Sequence, residues 1–89
     1  MAWTIKYAES AFKQLAKLHR PDAKRIVGFL RDRISVTHNP RTLGSALRGT
    51  DLGGYWKYRV GDFRLIVDIR DHEVVVLVLK IGNRRDVYR

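Results

Sequence analysis

The chain is 89 residues long and strongly basic, with 18 lysines and arginines against 9 aspartates and glutamates and a formal net charge of +9. Such a length fits one domain, residues 1–89, able to bury roughly 60 % of the surface its unfolded form exposes, and leaves no room for a second. The absence of cysteine excludes a disulfide framework, a thiolate metal site and a cysteine nucleophile, while the cationic excess favours a polyanionic partner.

The opening MAWTIKYAES holds no apolar run long enough for a signal peptide or a membrane span, so the expected location is the cytoplasm. Over residues 2–7, Trp3, Ile5 and Tyr7 alternate with Thr4 and Lys6, the period of a half-buried strand. A helix is expected over residues 9–18, with Ala11, Phe12, Leu15, Ala16 and Leu18 on its buried face and Glu9 one turn before Lys13. His19-Arg20-Pro21 interrupts it. Pro21 suits the first turn of a second helix, whose stripe is Ala23, Ile26, Val27, Leu30 and Ile34.

Residues 38–54, HNPRTLGSALRGTDLGG, read as an irregular connection pinned to the core by Leu43 and Leu47. Three strands follow at residues 55–60, 63–70 and 73–81, joined by the turns Gly61-Asp62 and Asp71-His72. The order β-α-α-β-β-β is an α+β plan, an antiparallel sheet with a two-helix hairpin on one face. In the first hairpin Arg59 lies opposite Arg64, and Lys57, Arg59 and Arg64 share a face; Trp56, Tyr58 and Val60 with Phe63, Leu65, Val67 and Ile69 form the core side. The last strand, EVVVLVLKI, reads as central and buried on both faces. Its Val75 and Leu77 fall beside the basic patch as an apolar strip, to be covered by the tail GNRRDVYR or by a partner.

Three converging cations are a ready anion site, because like charges placed side by side repel unless solvated or met by something negative. For a phosphodiester, arginine supplies planar bidentate donors, and a lysine crowded by cations more readily releases its proton. Lys57 is thus a candidate base toward a ribose 2′-hydroxyl, with the arginines stabilising the developing charge. The tail adds Arg84, Arg85 and Tyr88, the last able to stack on a base. Against this stands a plain reading, in which basic strand residues are solvated surface and a tyrosine next to a chain end is packed only for structure. His19, His38 and His72 sit at a helix end, in a loop and in a turn, apart from the basic face. Asp68 shares that face and is suited to neutralising Arg70 or Lys57. No metal-ligand spacing or phosphate-binding glycine loop occurs, so neither metal nor cofactor is expected.

The stretches ALRG at 46–49, YWKYRVGDFRLIVDI at 55–69, EVVVLVLKIG at 73–82 and the closing R-x-x-x-Y at 84–88 resemble the RelE/ParE toxin superfamily, the RelE branch in particular. The resemblance implies a type II toxin that enters the A site of the 70S ribosome, cuts messenger RNA by 2′-hydroxyl attack without metal, and is silenced by a cognate antitoxin. By position, Lys57, Arg64, Arg84 and Tyr88 match the family's catalytic and base-stacking residues, while Arg48, Arg59 and Arg85 would bind RNA or ribosome. Tyr55 stands where the RelE pattern often has a second lysine. The strip near Val75 and Leu77 would then receive an antitoxin segment. Two other readings remain: a ParE-like inhibitor of DNA gyrase, and a noncatalytic RNA- or ribosome-binding module.

Overall fold

The computed structural model describes residues 2–88. Strand β1 (Thr4–Tyr7) turns Ile5 and Tyr7, with Trp3 just before it, toward the core and leaves Thr4 and Lys6 exposed, as its alternation requires. Helix α1 (Glu9–Ala16) follows at once, and helix α2 (Arg20–Phe29) starts with Pro21 in its first turn, where a missing N–H leaves no bond unmade. A π-helical turn, Leu30–Ile34, prolongs α2, with the Ser35 N–H donating to the Leu30 carbonyl. Ile26, Leu30 and Ile34 are fully buried, whereas Ala23 and Val27 lie at the half-buried margin of the same stripe.

Helix α1 differs from expectation. It ends at Ala16, and Phe12 and Ala16 face solvent, Phe12 being 62 % exposed. One residue of helix is a turn of about 100°, so burying Ala11 swings Phe12 away from the sheet. The Glu9–Lys13 pair forms at 3.0 Å on the exposed side.

The sheet has the order β1-β5-β4-β3-β2, with β2 (Ser45–Ala46), β3 (Trp56–Val60), β4 (Phe63–Arg70) and β5 (Val75–Asn83). Three pairings are antiparallel; β1 lies parallel to β5, a geometry that requires a long crossover, here containing the two helices. The helices cover one face, where Ala11, Ile26, Leu30 and Ile34 meet Tyr58, Val60, Leu65, Val67, Val76, Val78 and Ile81. The result is an α+β fold.

Strand β5 carries an irregularity that decides which side chains reach the core. Val67 pairs with Val78 but Ile66 pairs with Lys80, so Leu79 is an extra residue. Strict alternation would have sent Lys80 inward and Ile81 out; the bulge reverses both and leaves Ile81 buried beside Leu65. Beyond Val78, where β1 has ended, α1 serves the strand's free edge. Ser10 Oγ donates to the Leu79 carbonyl at 2.8 Å, and the Ile81 N–H donates to Gln14 Oε1 at 2.7 Å.

Four further details correct the sequence reading. The connection 38–54 contains strand β2, too short to show any periodicity. Its anchor is the fully buried Pro40, while Leu43 is exposed and Leu47 half-buried. The second turn spans residues 71–74 instead of two, so the last strand begins at Val75 and runs to Asn83. Val74 in that turn has φ 55°, an uncommon conformation for a β-branched residue.

Candidate nucleic-acid interface

The face of the sheet away from the helices is built by register. Gly61 has φ 58° and Asp62 does not share the positive value, the pattern of a tight turn with glycine at its first central position. That turn sets Arg59 opposite Arg64 and Lys57 opposite Ile66, so Lys57, Arg59 and Arg64 share one face as expected. Repulsion between the facing arginines is eased by geometry: Arg64 Nη1 donates to the carbonyls of Gly61 and Phe63, each at 3.0 Å, while Arg59 extends into solvent. The turn that brings the two arginines together therefore also holds one of them in place.

Lys57, Arg59 and Arg64 line a groove of about 370 Å³ whose other wall is Thr42, Leu43, Gly44 and Ser45. Ser45 pairs with Lys57 across β2 and β3. This wall approaches so closely that a Cβ on Gly44 would lie 2.8 Å from both the Lys57 carbonyl oxygen and the Tyr58 ring. Under the wall, the Tyr58 hydroxyl donates to the Pro40 carbonyl at 2.6 Å, and burial pushes its phenol well above the ordinary range. Thr42 Oγ1 donates to the Asn39 carbonyl at 2.8 Å. Arg41 forms a two-pronged pair with Asp71, at 2.9 and 2.7 Å, and its guanidinium lies 5.7 Å from the centre of the Trp56 ring. Arg41 accordingly holds the Asp71 carboxyl below the usual carboxylate range.

The tail returns across the same face. The Asn83 carbonyl accepts the N–H groups of Asp86 and Val87, and Asn83 Oδ1 accepts that of Arg85, a local reversal typical of asparagine. Val87, 1 % exposed, packs on Gly82, where a Cβ would meet it at 3.3 Å. Tyr88 thereby comes over Lys57, with Nζ 5.9 Å from the ring centre, and stays 44 % exposed. The tail thus covers this face of the sheet at Gly82. At the other end Val75, between Thr4 and Arg70, is buried, and Leu77, between Lys6 and Asp68, is half-buried.

Arg84 and Arg85 take another position. The Arg84 N–H donates to the Asp62 carbonyl at 2.9 Å, and both arginines line a second groove of about 360 Å³ with Asp62, Asn83 and Asp86. Arg84 is therefore beside the hairpin turn and not among the residues lining the Lys57 groove. Arg48 is exposed in the loop after β2 and lines neither groove. Asp68 pairs with Arg70 at 3.0 Å, which resolves the choice between Arg70 and Lys57. None of the three histidines lines either groove. The groove wall at 42–45 and the Arg41–Asp71 pair were not legible in the sequence; the sole local hint is Gly44, placed where another chain segment passes within contact distance.

A helix pair on one face of a five-stranded sheet, with cations gathered on the other, defines a class: the chain belongs to the family described as ParE toxin of type II toxin-antitoxin system, parDE, whose pattern matches residues 5–88. It is a type II toxin of the RelE/ParE superfamily. It is similar to Toxin RelG of Mycobacterium tuberculosis, with 30 % identity over 89 residues covering 100 % of this chain and 99 % of RelG. Among solved structures it resembles the toxin-antitoxin complex RelBE2 from Mycobacterium tuberculosis, with TM-score 0.84, 28 % identity and coverage of 97 % of this chain and 95 % of that one. It also resembles the archaeal RelE-RelB complex from Pyrococcus horikoshii OT3, with TM-score 0.75, 26 % identity and coverage of 98 % and 100 %.

Proposed function

We propose that this toxin arrests translation by cutting messenger RNA in the ribosomal A site, and that a cognate antitoxin silences it in the cytoplasm. The observation that carries this reading is the gathering of Lys57, Arg59 and Arg64 in one groove with Tyr88 over the lysine. Lys57 takes the proton from a ribose 2′-hydroxyl. The freed oxygen attacks phosphorus, and the bond to the 5′-oxygen breaks with that oxygen protonated by a cationic neighbour. Arg64, held by the turn carbonyls, and Arg59 stabilise the charge on the phosphoryl oxygens, and Tyr88 stacks on a base. Arg84 and Arg85 act from the adjoining groove, on the strand as it leaves the reacting centre. Arg48, further off, contacts RNA or ribosome.

A groove rich in cations and poor in ordinary bases leaves much of the rate to alignment of the 2′-oxygen, phosphorus and leaving oxygen, which the ribosome supplies. An antitoxin partner is supported by the similarity to structures solved as toxin-antitoxin complexes.

The test is induced expression with mapping of messenger RNA ends in translating cells. The wild type should produce cuts within coding regions, and Arg64→Ala should lower cleavage of ribosome-bound message by roughly 100-fold or more. Equal cutting of free and ribosome-bound RNA would overturn the ribosomal part. Gyrase inhibition is a second reading, favoured by the ParE name of the matching family; it requires DNA-damage signalling with messenger RNA intact.

A further inference from the structure

We propose that Arg41 and Asp71 are positioning residues for cleavage: their pair holds residues 42–45 at the distance from Lys57, Arg59 and Arg64 that aligns the RNA. The inference rests on the functional reading above and extends it to residues outside the groove. Arg41 immediately precedes Thr42, the first residue of the groove wall, and Thr42, Leu43 and Ser45 belong to a segment with little burial of its own. Leu43 is exposed and β2 comprises only two residues, so the buried Pro40 and the contact of Gly44 with Tyr58 fix the inner side of the wall while little packing fixes its outer side. The pair with Asp71 does so from outside. It joins residues 30 apart in sequence by two parallel hydrogen bonds, a geometry that limits rotation as well as distance. Trp56 lies against the guanidinium and restricts it further.

Asp71 itself is remote from the reacting centre. It lies seven residues beyond Arg64 along β4, roughly 20 Å at the rise of an extended strand, at the opposite end from the Gly61 turn. An aspartate there touches no substrate in the groove and acts only through Arg41. Its carboxylate has a second consequence. Neutralising it leaves the Arg41 guanidinium without its carboxylate, one more unpaired cation on a strongly basic chain, and a free guanidinium attracts RNA without aligning it.

The experiment is Asp71→Asn, with the charge-exchanged double variant Arg41→Asp/Asp71→Arg, assayed for single-turnover cleavage of message on programmed ribosomes and for binding of a single-stranded RNA oligonucleotide. Amide hydrogen exchange at Gly44, whose N–H donates to the Arg41 carbonyl, is followed in parallel. Asp71→Asn should slow cleavage at saturating toxin on the order of 10- to 100-fold, leave oligonucleotide affinity equal or tighter, and speed exchange at Gly44; the exchanged pair should recover most of both losses. Unchanged cleavage with unchanged Gly44 exchange would overturn the proposal. So would slow cleavage that the exchanged pair fails to restore while Gly44 exchange returns to normal. A wild type that cuts no RNA defeats the functional reading itself, a result separate from the Gly44 exchange.

Discussion

Tyr58 ties the helix-covered core to the segment that leads into the groove wall. Its ring meets Phe29 edge-on, with centroids 5.7 Å apart, and so belongs to the helix-covered core. Its hydroxyl donates to Pro40 in the segment that leads to the groove wall, and Gly44 rests against the ring edge. Tyr58→Phe keeps the packing and leaves the Pro40 carbonyl without its donor in a buried place. A loss of about 1–2 kcal/mol is expected, read as a urea midpoint lower by about 1 M. A midpoint within error of wild type would mean that water replaces the hydroxyl at no cost.

At the scale of elements, the groove is made by two contacts between unlike segments: a tight hairpin that faces its own arginines toward each other, and a loop laid against strand β3. The second is a matter of volume. Gly44→Ala places a methyl group 2.8 Å from a backbone oxygen that cannot swing aside, so the wall must shift. The expected destabilisation is about 1–3 kcal/mol, accompanied by slower cleavage of ribosome-bound message. Thermal melting and single-turnover rates check the two halves. The hairpin was readable beforehand because a Gly-Asp pair between alternating runs specifies both turn and register. The loop-to-strand contact was not, because two paired residues carry no period.

For the whole molecule, charge is the governing quantity. At neutral pH the chain already carries a formal excess of nine positive charges, and every carboxylate protonated in acid adds to that excess. Asp71 adds a specific contribution. Its folded-state pKa lies below the unfolded value of about 3.9, so its stabilisation is complete above that value and disappears as the pH falls through the folded one. Stability should therefore decline below about pH 4, less so in high salt, and Asp71→Asn should slightly flatten the decline while slightly lowering stability at neutral pH. Denaturant melts from pH 7 to pH 3, at low and high ionic strength, check the sign.

The two helices, four of the five strands in their order, the Gly61 hairpin and the shared face of Lys57, Arg59 and Arg64 were legible in the residues, because each follows from a local period or a turn chemistry. The toxin family was legible from motif stretches covering nearly the whole chain. Where no period exists, the local signal is lost. The uniformly apolar EVVVLVLKI concealed the bulge at Leu79, since either face of such a strand looks buried. The amphipathic pattern of α1 did not reveal that Phe12 stays outside, since a stripe drawn on an isolated helix is wider than the part that touches the sheet. Tertiary structure alone decided that Arg84 and Arg85 occupy a groove of their own, that Tyr88 returns over Lys57, and that Arg41 and Asp71 meet across 30 residues. Pairing within a hairpin is a local property of the chain; the meeting of a loop, a tail and a distant turn depends on how the entire sheet twists and closes, which no short stretch of sequence encodes.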